Sequence, residues 1–283
     1  MSAFLNLFKL RIGVAIAFAA LAGLAVQSGP ALSAWQVLAV ILAVLVSSSA
    51  AGAFNQYAER DLDARMKRTR NRPFVTGRLA HGARWLWLIG AMIVGSFLLA
   101  AWSANLAAAA YVFLGAFTYG VVYTVWLKRR TWWNIVVGGL AGSFAVLAGA
   151  AAVSPLPNPD ALALAVVLFL WTPPHFWSLA IACREDYAAA GVPMLPVVVG
   201  DARAARAILA SAVLLVAASL APAFFGLGWI YLAFAAAGGG YFLWKCAALV
   251  AAPGRKTALA SFFGSLIQLC CVLLGAILDV ALG

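Results

Sequence analysis

Asn55-Gln56-Tyr57-Ala58-Glu59-Arg60-Asp61-Leu62-Asp63-Ala64-Arg65-Met66-Lys67-Arg68-Thr69-Arg70-Asn71-Arg72-Pro73 follows directly on a long apolar run. Charge is expensive at the end of such a run unless something there uses it. Asn55, Glu59 and Asp63 stand at i, i+4 and i+8, so on a helix they share one face. Like charges four residues apart repel, and a face holding both Glu59 and Asp63 therefore suits a cation. Arg65, Lys67, Arg68, Arg70 and Arg72 come next and suit an anion. A divalent cation and an anion wanted at one place point to a metal diphosphate. Magnesium takes one or a few carboxylates and completes its shell with water and substrate phosphates. Glu59 and Asp63 fit that role, with Asn55 as a neutral oxygen donor. Asp61 lies about 200° around the helix from Glu59 and is assigned to Arg65, four residues on. The plain alternative is a helix end laced with salt bridges, which gives these residues no reason to sit where an apolar span ends.

The composition says what that span is. Of 283 residues, 66% are hydrophobic and 10% are charged, against about 25% charged in soluble globular proteins. A soluble fold is excluded. The apolar runs are roughly 20 residues long and lack strand alternation, which fits membrane helices rather than barrel strands. Ala and Leu, both good helix formers, dominate them. Nine spans are expected, at approximately Ile12–Val26, Trp35–Phe54, Trp85–Trp102, Leu106–Trp126, Asn134–Val153, Ala161–Ala182, Ala207–Phe225, Trp229–Leu249 and Ala258–Leu278. The first is short, and its helix is expected to start near Leu5. Lys9 and Arg11 ahead of a short apolar run would also fit a cleaved signal peptide, leaving eight spans.

All 19 Lys and Arg residues fall in the N-terminal segment or in the second-to-third, fourth-to-fifth, sixth-to-seventh and eighth-to-ninth connections. The remaining connections have none. The positive-inside rule then puts the N-terminus in the cytoplasm and, with nine spans, the C-terminus outside. A basic face of this kind sets orientation and attracts anionic lipid, and no nucleic-acid partner is expected. It leaves unexplained the acids interleaved with bases in two of these connections. The four cysteines, Cys183, Cys246, Cys270 and Cys271, form no Cys-x-x-Cys pair and read as small buried hydrophobes. No linker divides the chain, which is read as one polytopic domain.

A second constellation runs from Trp171 to Tyr187. Pro173-Pro174 is expected to break the sixth span, freeing backbone groups that need a protein or cavity partner. His175, Leu179, Ala182 and Asp186 would share a face beyond it. An imidazole inside a span is a functional candidate by default, with a bond to a neighbouring carbonyl as the plain alternative. His81, in a charged loop, is expected to be merely solvated. A third segment, Tyr119 to Arg130, ends in Lys128-Arg129-Arg130, which suits either phosphate contact or a stop-transfer signal.

Together these residues resemble the UbiA superfamily of intramembrane prenyltransferases, and within it the branch that farnesylates protohaem IX. The resemblance runs from Lys9 to Gly200. It is sharpest at Asn55-Gln56 through Arg72-Pro73, at Lys128-Arg129-Arg130-Thr131, and at Trp171-Thr172-Pro173-Pro174-His175-Phe176-Trp177 with Asp186-Tyr187 and Gly191-Val192-Pro193-Met194-Leu195-Pro196. It implies nine transmembrane helices around a central cavity with a cytoplasmic cap. It implies Asn55, Glu59, Asp63 and Asp186 as catalytic residues holding Mg²⁺. Arg11, Arg68, Arg72 and Lys128, helped by Lys9, are implied as diphosphate contacts, and His175, Tyr123 and Trp177 as contacts to haem or to an allylic cation. Farnesyl diphosphate and haem b are the implied substrates, haem O the implied product.

Asp186 matches the last acid of the superfamily's second motif. The earlier acid positions hold His175 and Ala182, so a second metal site would be poor in acids. The chain departs from the expected pattern at Trp132-Trp133, where Pro-Gln would precede Asn134, and at Phe144-Ala145-Val146-Leu147, which lacks prolines. These departures leave room for another acceptor, a quinone precursor or a chlorin. A transporter with an anion site is disfavoured because almost every charge lies at a span end. A non-catalytic haem-handling factor is disfavoured by the paired acids. No mitochondrial presequence is visible, so the expected place is a bacterial inner membrane, with the site facing the cytoplasm. Membrane lipid and a downstream haem A synthase or oxidase assembly factors are the remaining expected partners.

Overall fold

A computed structural model describes residues 6–283. The expected helix start near Leu5 lies outside the described residues. Within them the protein is all-α, and its long helices are α1 (Leu10–Val26), α2 (Ala34–Ala58), α3 (Arg84–Ser103), α4 (Leu106–Leu127), α5 (Asn134–Val153), α6 (Pro159–Ala182), α7 (Asp201–Phe224), α8 (Trp229–Ala251) and α9 (Arg255–Leu282). The last eight are long and apolar enough to cross a bilayer, which makes the chain a multi-pass integral membrane protein. α1 has 17 residues and measures about 25 Å at 1.5 Å per residue, a little short of a hydrocarbon core of roughly 30 Å.

Helix starts follow local chemistry. The Ser33 hydroxyl accepts from the Gln36 amide, and the Gln36 side chain returns a bond to the Ser33 amide, a capping box at the head of α2. Asn105 and Asn158 cap α4 and α6 through the amides of Ala108 and Ala161, and Pro159 takes the first turn of α6, where no amide donor is missed. α7 begins at Asp201 and α9 at Arg255, ahead of the expected starts at Ala207 and Ala258. Their first turns are charged, so apolarity alone did not reveal them. Pro173 and Pro174 do not break α6, which runs on to Ala182. The carbonyl of Phe169, freed by Pro173, lies against Gly139 of α5, 3.1 Å from where a Cβ would stand. α5 is itself interrupted at Gly139.

Each helix packs on the next in sequence, and α9 returns to α1, closing a ring. α1 also packs closely on α5. A Cβ at Gly149 would stand 1.8 Å from the Ala20 carbonyl oxygen, and one at Gly23 would stand 2.1 Å from that of Val146. Lipid gives no hydrophobic drive between helices, so this backbone approach, with its van der Waals contact, holds the pair together. Six helices, α1, α2, α4, α5, α6 and α9, wall a central cavity. The other three, α3, α7 and α8, stand outside and are the least buried of the long spans. Exposed tryptophans mark both ends of the bundle: Trp35, Trp102 and Trp229 at one, Trp87, Trp126 and Trp244 at the other, as amphipathic rings do at membrane interfaces.

Candidate active site

The cavity has a volume of about 520 Å³, within the roughly 300–1,000 Å³ usual for small-molecule sites. Its wide apolar part is built from small residues, among them Ala15, Ala19, Gly115, Ala141, Gly142 and Ala145. Its charged mouth lies where the basic connections gather. α2 ends at Ala58, Glu59 turns the chain (φ −102°, ψ 17°), and a short helix, Arg60–Arg65, carries on. Asp63 still donates its amide to the Glu59 carbonyl, at 2.8 Å. The bend is gentle enough that Asn55, Glu59 and Asp63 all line the cavity.

Each of the three meets a cation. Lys128 Nζ donates to Glu59 Oε2 at 2.6 Å. Arg72 donates to both oxygens of Asp63, at 2.8 and 2.7 Å. Lys9 Nζ donates to Asn55 Oδ1 at 2.7 Å and to the Tyr119 hydroxyl at 3.1 Å. The Asn55 amide in turn donates to Thr124 Oγ1 at 3.1 Å. Glu59 is 1% and Asp63 2% exposed, so these are buried pairs, each ion needing its partner. Arg11 and Arg68 join Lys9, Arg72 and Lys128 on the cavity wall. Five basic side chains thus face two carboxylates. Burial, then the charges of Arg72 and Lys128, lower the Lys9 ammonium to about 7.

Two local features aim these groups. Lys9 adopts a left-handed conformation (φ 47°), the one non-glycine among the described residues with positive φ, a costly arrangement that concentrates at functional sites. Its stem lies over Gly52, whose missing side chain leaves room at 3.4 Å. In α4, residues Thr118–Leu127 form a π-helix, a rare widening common at functional sites. It stacks Tyr119 on Tyr123 at 5.5 Å and sets their rings 5.6 and 5.5 Å from the Lys9 and Lys128 ammoniums, within cation–π range.

The segments that follow α2 and α6 meet. α6 stops at Ala182, Cys183 turns the chain, and the helix Arg184–Ala189 sets off anew. The face shared by His175 and Leu179 therefore does not extend to Asp186. Asp186 is absent from the cavity wall and instead accepts from the backbone amides of Lys67 and Arg68, at 3.0 and 3.2 Å. It ties down the loop that carries Arg68 and Arg72. Trp177 is also absent from the cavity. It is buried on the far side of α6 near Trp132, at 6.2 Å. Tyr123 and His175 do line the cavity. Asp61 pairs with Arg129 at 2.7 Å, not with Arg65, because the bend at Glu59 turns it toward the end of α4. That guanidinium holds the Asp61 carboxyl below its ordinary range. His81 is exposed yet not merely solvated: it stacks on Tyr57 at 3.9 Å and bonds the Tyr57 carbonyl at 3.1 Å.

Sequence reading passed over Tyr119, Thr124 and Ser265. Tyr119 sits in a quoted motif, but its role depends on the π register, which has no signal in composition. Ser265 lies in an apolar span and shows its worth only through its neighbour across the bundle.

A divalent cation fits the donor set. Glu59 Oε1 is buried without a partner among the described residues, an open carboxylate oxygen in a cavity that Asn55 and Asp63 also line. No three His, Cys, Asp or Glu side chains among the described residues converge to hold an ion alone. Two carboxylates and an amide suffice for magnesium when substrate phosphates supply further oxygens.

The model of the UbiA prenyltransferase family matches residues 16–267. This chain belongs to the UbiA prenyltransferase family. The UbiA-family chain is 59% identical to protoheme IX farnesyltransferase 2 of Paramagnetospirillum magneticum over 97% of its own length and 95% of that protein. It is 45% identical to protoheme IX farnesyltransferase 1 of the same organism, over 93% of each. Among solved structures, a UbiA homologue of Archaeoglobus fulgidus bound to DMAPP and Mg²⁺ superposes with a TM-score of 0.75 at 17% identity, covering 95% of this chain and 99% of that one. A digeranylgeranylglyceryl phosphate synthase gives 0.79 at 18%, covering 99% and 98%. At such identities the structures establish the UbiA fold.

Proposed function

We propose that this protein transfers the farnesyl group of farnesyl diphosphate to the 2-vinyl group of haem b, with addition of water, giving haem O and diphosphate. The observation that carries the reading is one continuous cavity that joins a mouth rich in cations and paired carboxylates to a wide apolar interior. Similarity over nearly the whole chain to proteins named protoheme IX farnesyltransferase supports the choice of substrates.

In this reading Asn55, Glu59 and Asp63 hold Mg²⁺, which when bound neutralises phosphate charge and helps the diphosphate leave. Arg68, Arg72, Lys128, Lys9 and Arg11 bind the diphosphate, and they outnumber the two carboxylates, which favours an anionic substrate. Lys128 and Arg72 already stand at the carboxylates, so they stabilise the leaving group with little movement. Such prearranged charge lowers the barrier most where charge develops. Asp186 positions the Arg68 loop. The alanine- and glycine-rich walls take the isoprenoid tail and keep water from the allylic cation, while the faces of Tyr119 and Tyr123 stabilise its positive charge. The vinyl group attacks the cation, and water completes the hydroxyethylfarnesyl side chain. Because the charged mouth opens where every Lys- and Arg-bearing connection lies, the positive-inside rule supports a site facing the cytoplasm, in a bacterial inner membrane.

The test is turnover by purified protein given labelled farnesyl diphosphate, Mg²⁺ and haem b. Label appearing in haem O supports the reading. Label transferred to an aromatic acid or chlorin, with haem untouched, would replace it.

A further inference from the structure

His175 has a fixed tautomer. Its Nδ1 lies 2.7 Å from Ser265 Oγ. The Ser265 hydroxyl has one proton, and it donates that proton to the Phe262 carbonyl at 2.7 Å. Ser265 Oγ can therefore only accept from the ring, so Nδ1 carries the hydrogen and Nε2 the free lone pair. Nε2 has no hydrogen-bond partner among the described residues, and His175 lines the cavity. The ring is clamped. Trp171 stacks on one side at 4.0 Å and Phe262 at 4.4 Å, with Phe176 edge-on at 4.9 Å. Trp171 is held in turn by donating Nε1–H to the Ser265 carbonyl at 2.8 Å. Among the described residues that line the cavity, His175 is the one imidazole.

A proton relay needs an exit, and this chain has none: it ends on the backbone carbonyl of Phe262, which cannot pass a proton on. Metal-bound histidines, by contrast, regularly donate their second N–H to an acceptor that fixes tautomer and ring plane. An oriented, uncharged Nε2 in an apolar pocket is the usual proximal partner of haem iron.

Resting on the transferase reading above, we infer that His175 ligates the iron of the haem substrate through Nε2, with Ser265 as the positioning residue that sets the ring. The bond forms by donation of an existing lone pair, so no proton leaves the imidazole. Ligation pins the porphyrin at its centre and fixes how far its vinyl edge reaches toward the charged mouth.

The experiment is resonance Raman spectroscopy of ferrous haem b bound to the full-length protein in detergent. The chain has two histidines, so His81→Ala leaves His175 alone. The iron–histidine stretch should persist in His81→Ala and shift when that variant is grown on ¹⁵N-histidine. It should vanish in His175→Ala and return with added imidazole. Ser265→Ala should keep the stretch while weakening haem binding about 10- to 100-fold. A stretch that survives in His175→Ala, or a haem-bound wild type without one, overturns the proposal. Wild type that farnesylates haem yet shows no such stretch sinks the ligation and spares the transferase. A stretch without transfer does the reverse, and protein that neither binds nor modifies haem sinks both.

Discussion

Lys128 reaches Glu59 at 2.6 Å with both side chains buried. Removing one ion of such a pair leaves the other uncompensated in a low-dielectric place, which costs about 3–5 kcal/mol. Lys128→Ala should therefore lower thermal stability in detergent sharply. Adding Glu59→Gln should recover most of the loss, because no bare carboxylate remains. Neither variant should turn over substrate. If the double variant melts no higher than the single one, the pair is not what holds the mouth together.

Asp63→Asn keeps shape and removes charge. Arg72 keeps a bond to the amide oxygen but loses its counter-charge, so the melting temperature should fall while the protein still folds into the membrane. Turnover should fall by at least about a hundredfold, the order lost with a single prearranged charge-stabilising group. Chelating the metal in wild type should have the same effect and be reversed by Mg²⁺. Normal turnover in chelator would remove the metal from the proposed role of Asn55, Glu59 and Asp63.

Asp186→Asn separates two roles. As the acceptor for the Lys67 and Arg68 amides, its carboxylate positions a loop. Hydrogen bonds to a charged group are worth about 1.5–3 kcal/mol, and their weakening should appear mainly as a higher KM for farnesyl diphosphate. A collapse of kcat equal to that of Asp63→Asn, at unchanged KM, would instead mark Asp186 as a ligand of the metal.

Gly149→Ala should be strongly destabilising, since the added carbon would stand 1.8 Å from the Ala20 carbonyl oxygen. It should also cut activity, because α1 is the helix that follows Lys9 and carries Arg11. Gly90→Ala in α3 is the control. Nothing lies within 4 Å of its new carbon, and alanine is favoured in a helix by about 1 kcal/mol. Equal melting temperatures for the two variants would mean that the α1–α5 approach is looser than described.

The nine long helices among the described residues were legible because length and apolarity respond directly to bilayer thickness. Asn55, Glu59 and Asp63 were legible because a spacing of four survives the gentle bend at Glu59. Asp186 lies off the expected face because helical phase does not carry past the break at Cys183. Trp177 was offered by the resemblance alone, and it packs near Trp132 instead of lining the cavity. Lys9 was seen as a basic residue, but its reach to Asn55 depends on a left-handed turn and on Gly52 across the bundle. Ser265 carried no signal at all, since a hydroxyl in an apolar span has meaning only opposite its imidazole.

The π-helix of α4 has a consequence for how this chain can vary. Ten residues from Thr118 to Leu127 wind more slowly than an α-helix would, and Lys128 owes its bearing to that slower count. Deleting one residue from the stretch would swing the following turn by somewhat less than the roughly 100° per residue of an α-helix, carrying the ammonium away from Glu59. Along this stretch the protein should tolerate exchanges of side chain far better than any change in residue number.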